Sequence, residues 1–227
     1  MIRCSFILLI ILCGCTASEI ELDPVRKMKS ELKNEFAYTI TLSDMDLDKD
    51  QYKHKYKIFK LQKDETIVID STEWQNVSDD FFFYHKNNLG MEVASKLMDS
   101  RINDLPTPPG YTNFVGNEKL GDWQYVDSSY YVWGFYEKYK NLRVQLNLQE
   151  IIVTKIDYDL FISEYQFNRP YYGKTDKKDV KAYGTNSNSM YLIYPLFYLR
   201  RTQHRNFTKP RSSSRSGGPR GGGGYGK

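Results

Sequence analysis

All three cysteines of this chain, Cys4, Cys13 and Cys15, lie within its first fifteen residues. The remaining stretch has no thiol pair to cross-link, so no disulfide framework can hold it. Any stable fold there must rest on a packed core. The composition supplies one, with 19 Tyr, 12 Phe and 3 Trp. A body of about 200 residues suits one domain with tails. Many of the tyrosines are expected to lie half-buried, with ring packed and hydroxyl wet.

The first residues read as an export leader. Arg3 precedes the apolar run Phe6-Ile7-Leu8-Leu9-Ile10-Ile11-Leu12, which is followed by the small residues Cys13, Gly14 and Cys15. The run is too short to span a bilayer, which needs about 20 apolar residues. Leu12-Cys13-Gly14-Cys15 resembles the lipobox of bacterial lipoproteins. That resemblance implies cleavage before Cys15 and acylation of its thiol, with residues 1–14 removed. Cys13 departs from the Ala or Ser usual before the glycine, and bulky Leu12 makes Cys13 itself a poor acceptor. A plain cleaved leader and a short uncleaved anchor are the rival readings. A multiply acylated Cys15 would hold the body at a membrane, since each buried CH₂ contributes about 0.8 kcal/mol.

Net charge is +4 but unevenly spread. Arg200, Arg201, Arg205, Lys209, Arg211, Arg215, Arg220 and Lys227 fall in the last 28 residues, which contain no acid. The rest holds 24 basic and 28 acidic residues. Residues 201–227 are rich in Gly, Ser and Arg and are expected to be disordered, because they cannot bury enough apolar surface to offset chain entropy. The first seven of those basic residues are the candidates for contact with an anionic surface, either lipid headgroups or an envelope polymer. The acidic body is a third possible target. Arg220-Gly221-Gly222 resembles the RGG segments that bind RNA. Export argues against a nucleic-acid partner.

Between leader and tail an α+β domain is expected over residues 36–200, with antiparallel hairpins and one or two packed helices. Residues 15–35 form a polar tether or a short helix. Asp23 and Pro24 are placed as cap and first helical residue, and Leu22, Val25, Met28 and Leu32 share one face. Residues 36–42, 56–61 and 66–69 read as strands, the last two as a hairpin. Ser78-Asp79-Asp80 opens a helix that carries Phe82, Leu89, Val93 and Leu97 on one face, with Gly90 as its weak point. Pro106-Thr107-Pro108-Pro109-Gly110 reads as a surface loop. Residues 123–126 and 130–136 read as aromatic strands, 142–152 as helix or strand, and 158–167 as a helix.

Asp44, Asp46, Asp48 and Asp50 alternate like the oxygen ligands of a calcium loop, but Lys49 stands where that loop needs Gly and Lys55 where it needs Glu. A solvated acidic turn is the expectation, with these four as weak metal candidates only. His54, His85 and His204 form no zinc motif, and Ser95, Ser163 and Ser187 sit in no Gly-x-Ser-x-Gly elbow. No catalytic residue and no cofactor are expected.

The segments Leu42-Ser43-Asp44-Met45, Leu89-Gly90-Met91-Glu92, Pro109-Gly110-Tyr111, Val115-Gly116-Asn117-Glu118-Lys119, Arg169-Pro170-Tyr171-Tyr172-Gly173 and Gly224-Tyr225-Gly226-Lys227 resemble a group of Bacteroidota-type envelope lipoproteins. That group has no assigned activity, so the resemblance implies no site residues. The expected function is a non-catalytic binding role on a membrane-anchored envelope lipoprotein; the alternative is an envelope hydrolase. Inner or outer membrane, and either face of it, stay open.

Overall fold

The computed structural model describes residues 23–127, 130–203 and Phe207. Its first helix starts where a cap and a proline dictate. The Asp23 side chain accepts from the Arg26 N–H at 2.9 Å, and Pro24 opens α1 (Pro24–Glu31). Val25 and Met28 are buried, one turn apart.

The core of the fold is an antiparallel sheet. β1 (Ala37–Asp48) and β2 (Gln51–Leu61) form a long hairpin. Its two-residue turn, Lys49-Asp50, has φ of 48° and 65°, the left-handed pair that matches the twist of a hairpin. β3 (Ile67–Ser71) and β4 (Gln75–Asn76) both pair with β2. β5 (Glu92–Lys96) pairs with the other edge of β1, and β6 (Ile102–Asn103) with β5. The order is β3-β2-β1-β5-β6, with β4 beside β2. A separate ribbon joins β7 (Gly121–Asp127) to β8 (Tyr130–Phe135). The remaining helices are α2 (Asp79–His85), α3 (Lys140–Gln145), α4 (Lys155–Gln166), α5 (Asn188–Ile193) and α6 (Pro195–Gln203). The fold is α+β as expected, with six α-helices among the described residues.

Every residue from Ala37 to Leu42 is buried, so β1 is covered on both faces. β2 instead alternates: Tyr52, His54 and Tyr56 point in, while lysines 53, 55 and 57 are half-exposed. A bulge at Ser43 shifts the β1 register against β2 and puts Met45 in the core. Aromatic rings fill the space between layers. Tyr52 stacks on Phe82 at 4.4 Å, and Phe82 meets Phe207 edge-on at 5.6 Å. Each buried ring of this kind contributes about 2 kcal/mol.

Several elements differ from the sequence reading. The helix opened by Ser78 ends at His85; Ser78 does cap it, accepting from Phe81 N–H. Gly90 then turns the chain with φ +76°, and Val93 lies in β5, a central strand, rather than on a helix. Pairing with β1 outweighs the helical spacing of Phe82, Leu89, Val93 and Leu97. The Pro106–Gly110 segment is not a surface loop. All five residues are buried, and Thr107 exchanges both backbone hydrogen bonds with Glu92, like a short extra strand. Of residues 142–152, only the first four are helical. Residues 201–203 continue α6 and Phe207 is buried, so the folded body runs past residue 200. The leader, the lipobox and most of the basic tail lie outside the described residues.

Candidate functional site

The loop between Gly173 and Gly184 is exposed from Lys174 to Asp179 and is bordered by two clefts. Both glycines have positive φ, +78° and +84°. A Cβ on Gly184 would stand 2.5 Å from the Asn87 carbonyl oxygen, so only glycine permits that close approach. The loop is pinched by an isolated bridge between Thr175 and Lys181. One cleft of about 430 Å³ runs along it, lined by Lys174, Lys181, Glu150, Ser189, Ile152 and Leu192 among others. A second, of about 340 Å³, has Tyr172 and Tyr183 in its wall.

Behind these two rings lies a buried tyrosine–carboxylate hub. Asp157, in the first turn of α4, accepts from the Tyr111 and Tyr171 hydroxyls, each at 2.6 Å, and from the Lys174 N–H at 3.3 Å. Tyr183 bonds the Tyr111 hydroxyl at 2.6 Å. Burial, reinforced by the Asp157 charge, pushes the Tyr111, Tyr171 and Tyr183 hydroxyls well above the usual phenol range. They are donors, not bases. Tyr172 donates to Asn88, which in turn bonds His85 Nδ1 at 3.0 Å. One network therefore ties the cleft walls to α2.

Two further buried polar groups sit deeper. Glu92 is fully buried on β5. Its Oε2 accepts from Thr107 and Thr112, at 3.0 and 2.5 Å, whereas Oε1 has no hydrogen-bond partner. Burial pushes its carboxyl up to about 7, against the pull of the two threonine hydroxyls. His54 bonds the Tyr56 hydroxyl through Nδ1 at 2.9 Å, and its Nε2 is unpartnered. Burial brings His85 down to about 4 and His54 well below its ordinary value, so both rings are neutral at physiological pH.

The residues singled out in the sequence end up scattered. Asp44, Asp46 and Asp48 belong to β1 rather than to a solvated turn; only Asp50 sits in the turn. Asp44 and Asp46 face Arg200, and Asp48 pairs with Lys53 at 2.7 Å. Among the described residues no group of three or more His, Cys, Asp or Glu is placed to hold a metal ion. Arg200 is thus turned toward the acidic body, not toward an external anion, and Arg201 donates to Asn186 at 3.3 Å. Cys15, Arg205, Lys209, Arg211, Arg215, Arg220 and His204 lie outside the described residues. Ser95 is buried on β5, Ser163 is exposed on α4, and Ser187 precedes α5; the structure does not bring them together. The sequence reading missed Glu92, Asp157 and the tyrosine hub. Glu92 stands as a single acid between Met91 and Val93, and Asp157 is one of two closely spaced aspartates; neither pattern names a partner.

No helix among the described residues is long and apolar enough to cross a membrane. Comparison with known proteins finds no matching family model, no matching curated protein and no matching solved structure.

Proposed function

We propose that this chain is a bacterial envelope lipoprotein, held to a membrane through acylated Cys15, whose α+β body has a non-catalytic binding role. The observation that carries the binding half of this reading is the fate of the ionisable groups. Glu92, Asp157, His54 and His85 are buried, and each is committed to a neighbouring hydroxyl or amide of the core. What the body offers to solvent instead are open clefts walled by lysines, aliphatic side chains, tyrosine rings and the surface carboxylates Glu150, Asp176 and Asp179. Asp176 is held by the Lys178 and Val180 N–H groups, and mixed polar and apolar walls of this kind suit recognition of a ligand.

The anchor half rests on the leader and on the small residues before Cys15. Cys15→Ser should release the protein from membranes washed in high salt. A variant that still sediments with washed membranes would rule out lipidation as the anchor.

A further inference from the structure

The outward side of α5 and α6 carries large apolar residues that nothing among the described residues covers. Leu192 on α5 is 70 % exposed, and Leu196 and Leu199, one turn apart on α6, are 67 % and 56 % exposed. Their opposite neighbours Phe197 and Tyr198 are buried, so α6 is held firmly with its leucines outward. Tyr191 stacks on Tyr198 at 3.8 Å, and Arg200 binds Asp44 on β1. The leucines therefore stand on a braced platform. Past α6, where Phe207 packs against Phe197, the chain carries Arg205, Lys209, Arg211, Arg215, Arg220 and Lys227 and no acid.

We infer that the Leu196–Leu199 face of α6, with the basic chain that follows it, docks onto an anionic lipid bilayer. This rests on the lipid-anchored reading above, and it assigns which side of the body meets the membrane. Two protruding leucines suit the headgroup–acyl boundary, where shallow apolar insertion and attraction between basic residues and anionic lipid add together. The charge pattern orients the body as well. The basic end is drawn to the negative surface, while the remaining chain, richer in acids than in bases, is repelled by it. An anchor at Cys15 raises the local concentration of bilayer, so a contact weak on its own is occupied.

The test is flotation of the processed, otherwise complete chain carrying Cys15→Ser with vesicles. One set is phosphatidylcholine alone, and the other is phosphatidylcholine with an equal part of phosphatidylglycerol. The chain should float with the anionic vesicles and not with the neutral ones. Leu196→Ser/Leu199→Ser should weaken that binding by about tenfold or more while melting like the parent. The milder Leu196→Ala/Leu199→Ala pair, which favours the helix, should weaken it less. Failure of the parent to bind anionic vesicles would overturn the inference. So would leucine variants that bind like the parent, or polyphosphate binding that matches vesicle binding and ignores the leucines, which would assign the basic chain to an anionic polymer. Because the assay contains no acyl chain, these failures leave the Cys15 anchor untouched; that anchor fails only in the membrane-wash experiment.

Discussion

Arg200 on the last helix reaches Asp44 in the middle of the sheet. Its Nη2 lies 2.5 Å from Asp44 Oδ1 and its Nε 3.4 Å from Asp46 Oδ2, and its guanidinium sits 5.7 Å from the centre of the Trp74 ring. The three charged side chains are each about one-quarter exposed or less. Burial pushes the Asp44 carboxyl up, and Arg200 pulls it back down. The pair joins positions 156 residues apart in sequence and fixes α6 on β1.

Arg200→Ala should therefore cost about 2 kcal/mol, because it leaves two partly buried carboxylates without their cation. Urea unfolding measures the loss. Asp44→Ala in the Arg200→Ala background should cost clearly less than Asp44→Ala alone. Additive losses would mean that the two side chains are not coupled.

Glu92 makes the protein more stable in mild acid. Its folded value of about 7 exceeds the ordinary 4.5, so the folded state binds the proton more tightly. This contribution is full below about pH 4.5 and is lost as pH rises through 7, a swing of about 3 kcal/mol. In Glu92→Gln the swing should vanish. The comparison is the difference in unfolding free energy between parent and variant at pH 5 and at pH 8. A constant difference would contradict the shifted carboxyl.

His54 and His85 act in the opposite direction. Their folded values are lowered, His85 to about 4 from 6.5, so the unfolded chain takes up the proton first. Stability from His85 is full above about pH 6.5 and falls by up to about 3 kcal/mol as pH drops toward 4. Over the shared range His85 offsets Glu92, and His54 adds a further loss in acid. The parent should therefore lose stability in mild acid, and His85→Gln should flatten that loss. A His85→Gln profile parallel to that of the parent would show that the ring does not titrate as described.

The tyrosine hub should behave as one unit. Asp157→Ala removes the acceptor for both the Tyr111 and Tyr171 hydroxyls and should cost about 3 kcal/mol. Tyr171→Phe alone should cost about 1 kcal/mol. Combining them should cost less than the sum, because the orphaned Tyr171 hydroxyl is then absent. Thermal melts of the three variants decide the point.

Local patterns reported on elements whose neighbours are close in sequence. The Asp23–Pro24 start of α1, the Ser78 cap of α2, the β2–β3 hairpin and the β7–β8 ribbon are all visible in residue type and spacing. The long-range partners were not. Val93 has helical spacing with Phe82 and Leu89, yet its strand pairs with β1, some fifty residues earlier in the chain. Pro106–Gly110 has the composition of a loop, but Glu92 supplies the hydrogen bonds that let it be buried. Asp44 and Asp46 resembled ligands because their true partner, Arg200, lies more than 150 residues further along the chain. Glu92 and Asp157 gained their surroundings only through folding.

The account turns on what Cys15 becomes, and mass spectrometry of the native protein reads this directly. A chain that begins at Cys15 and carries a diacylglyceryl thioether, with or without an acylated amine, is the predicted result. A free thiol at Cys15, or a chain that retains residues 1–14, would contradict it.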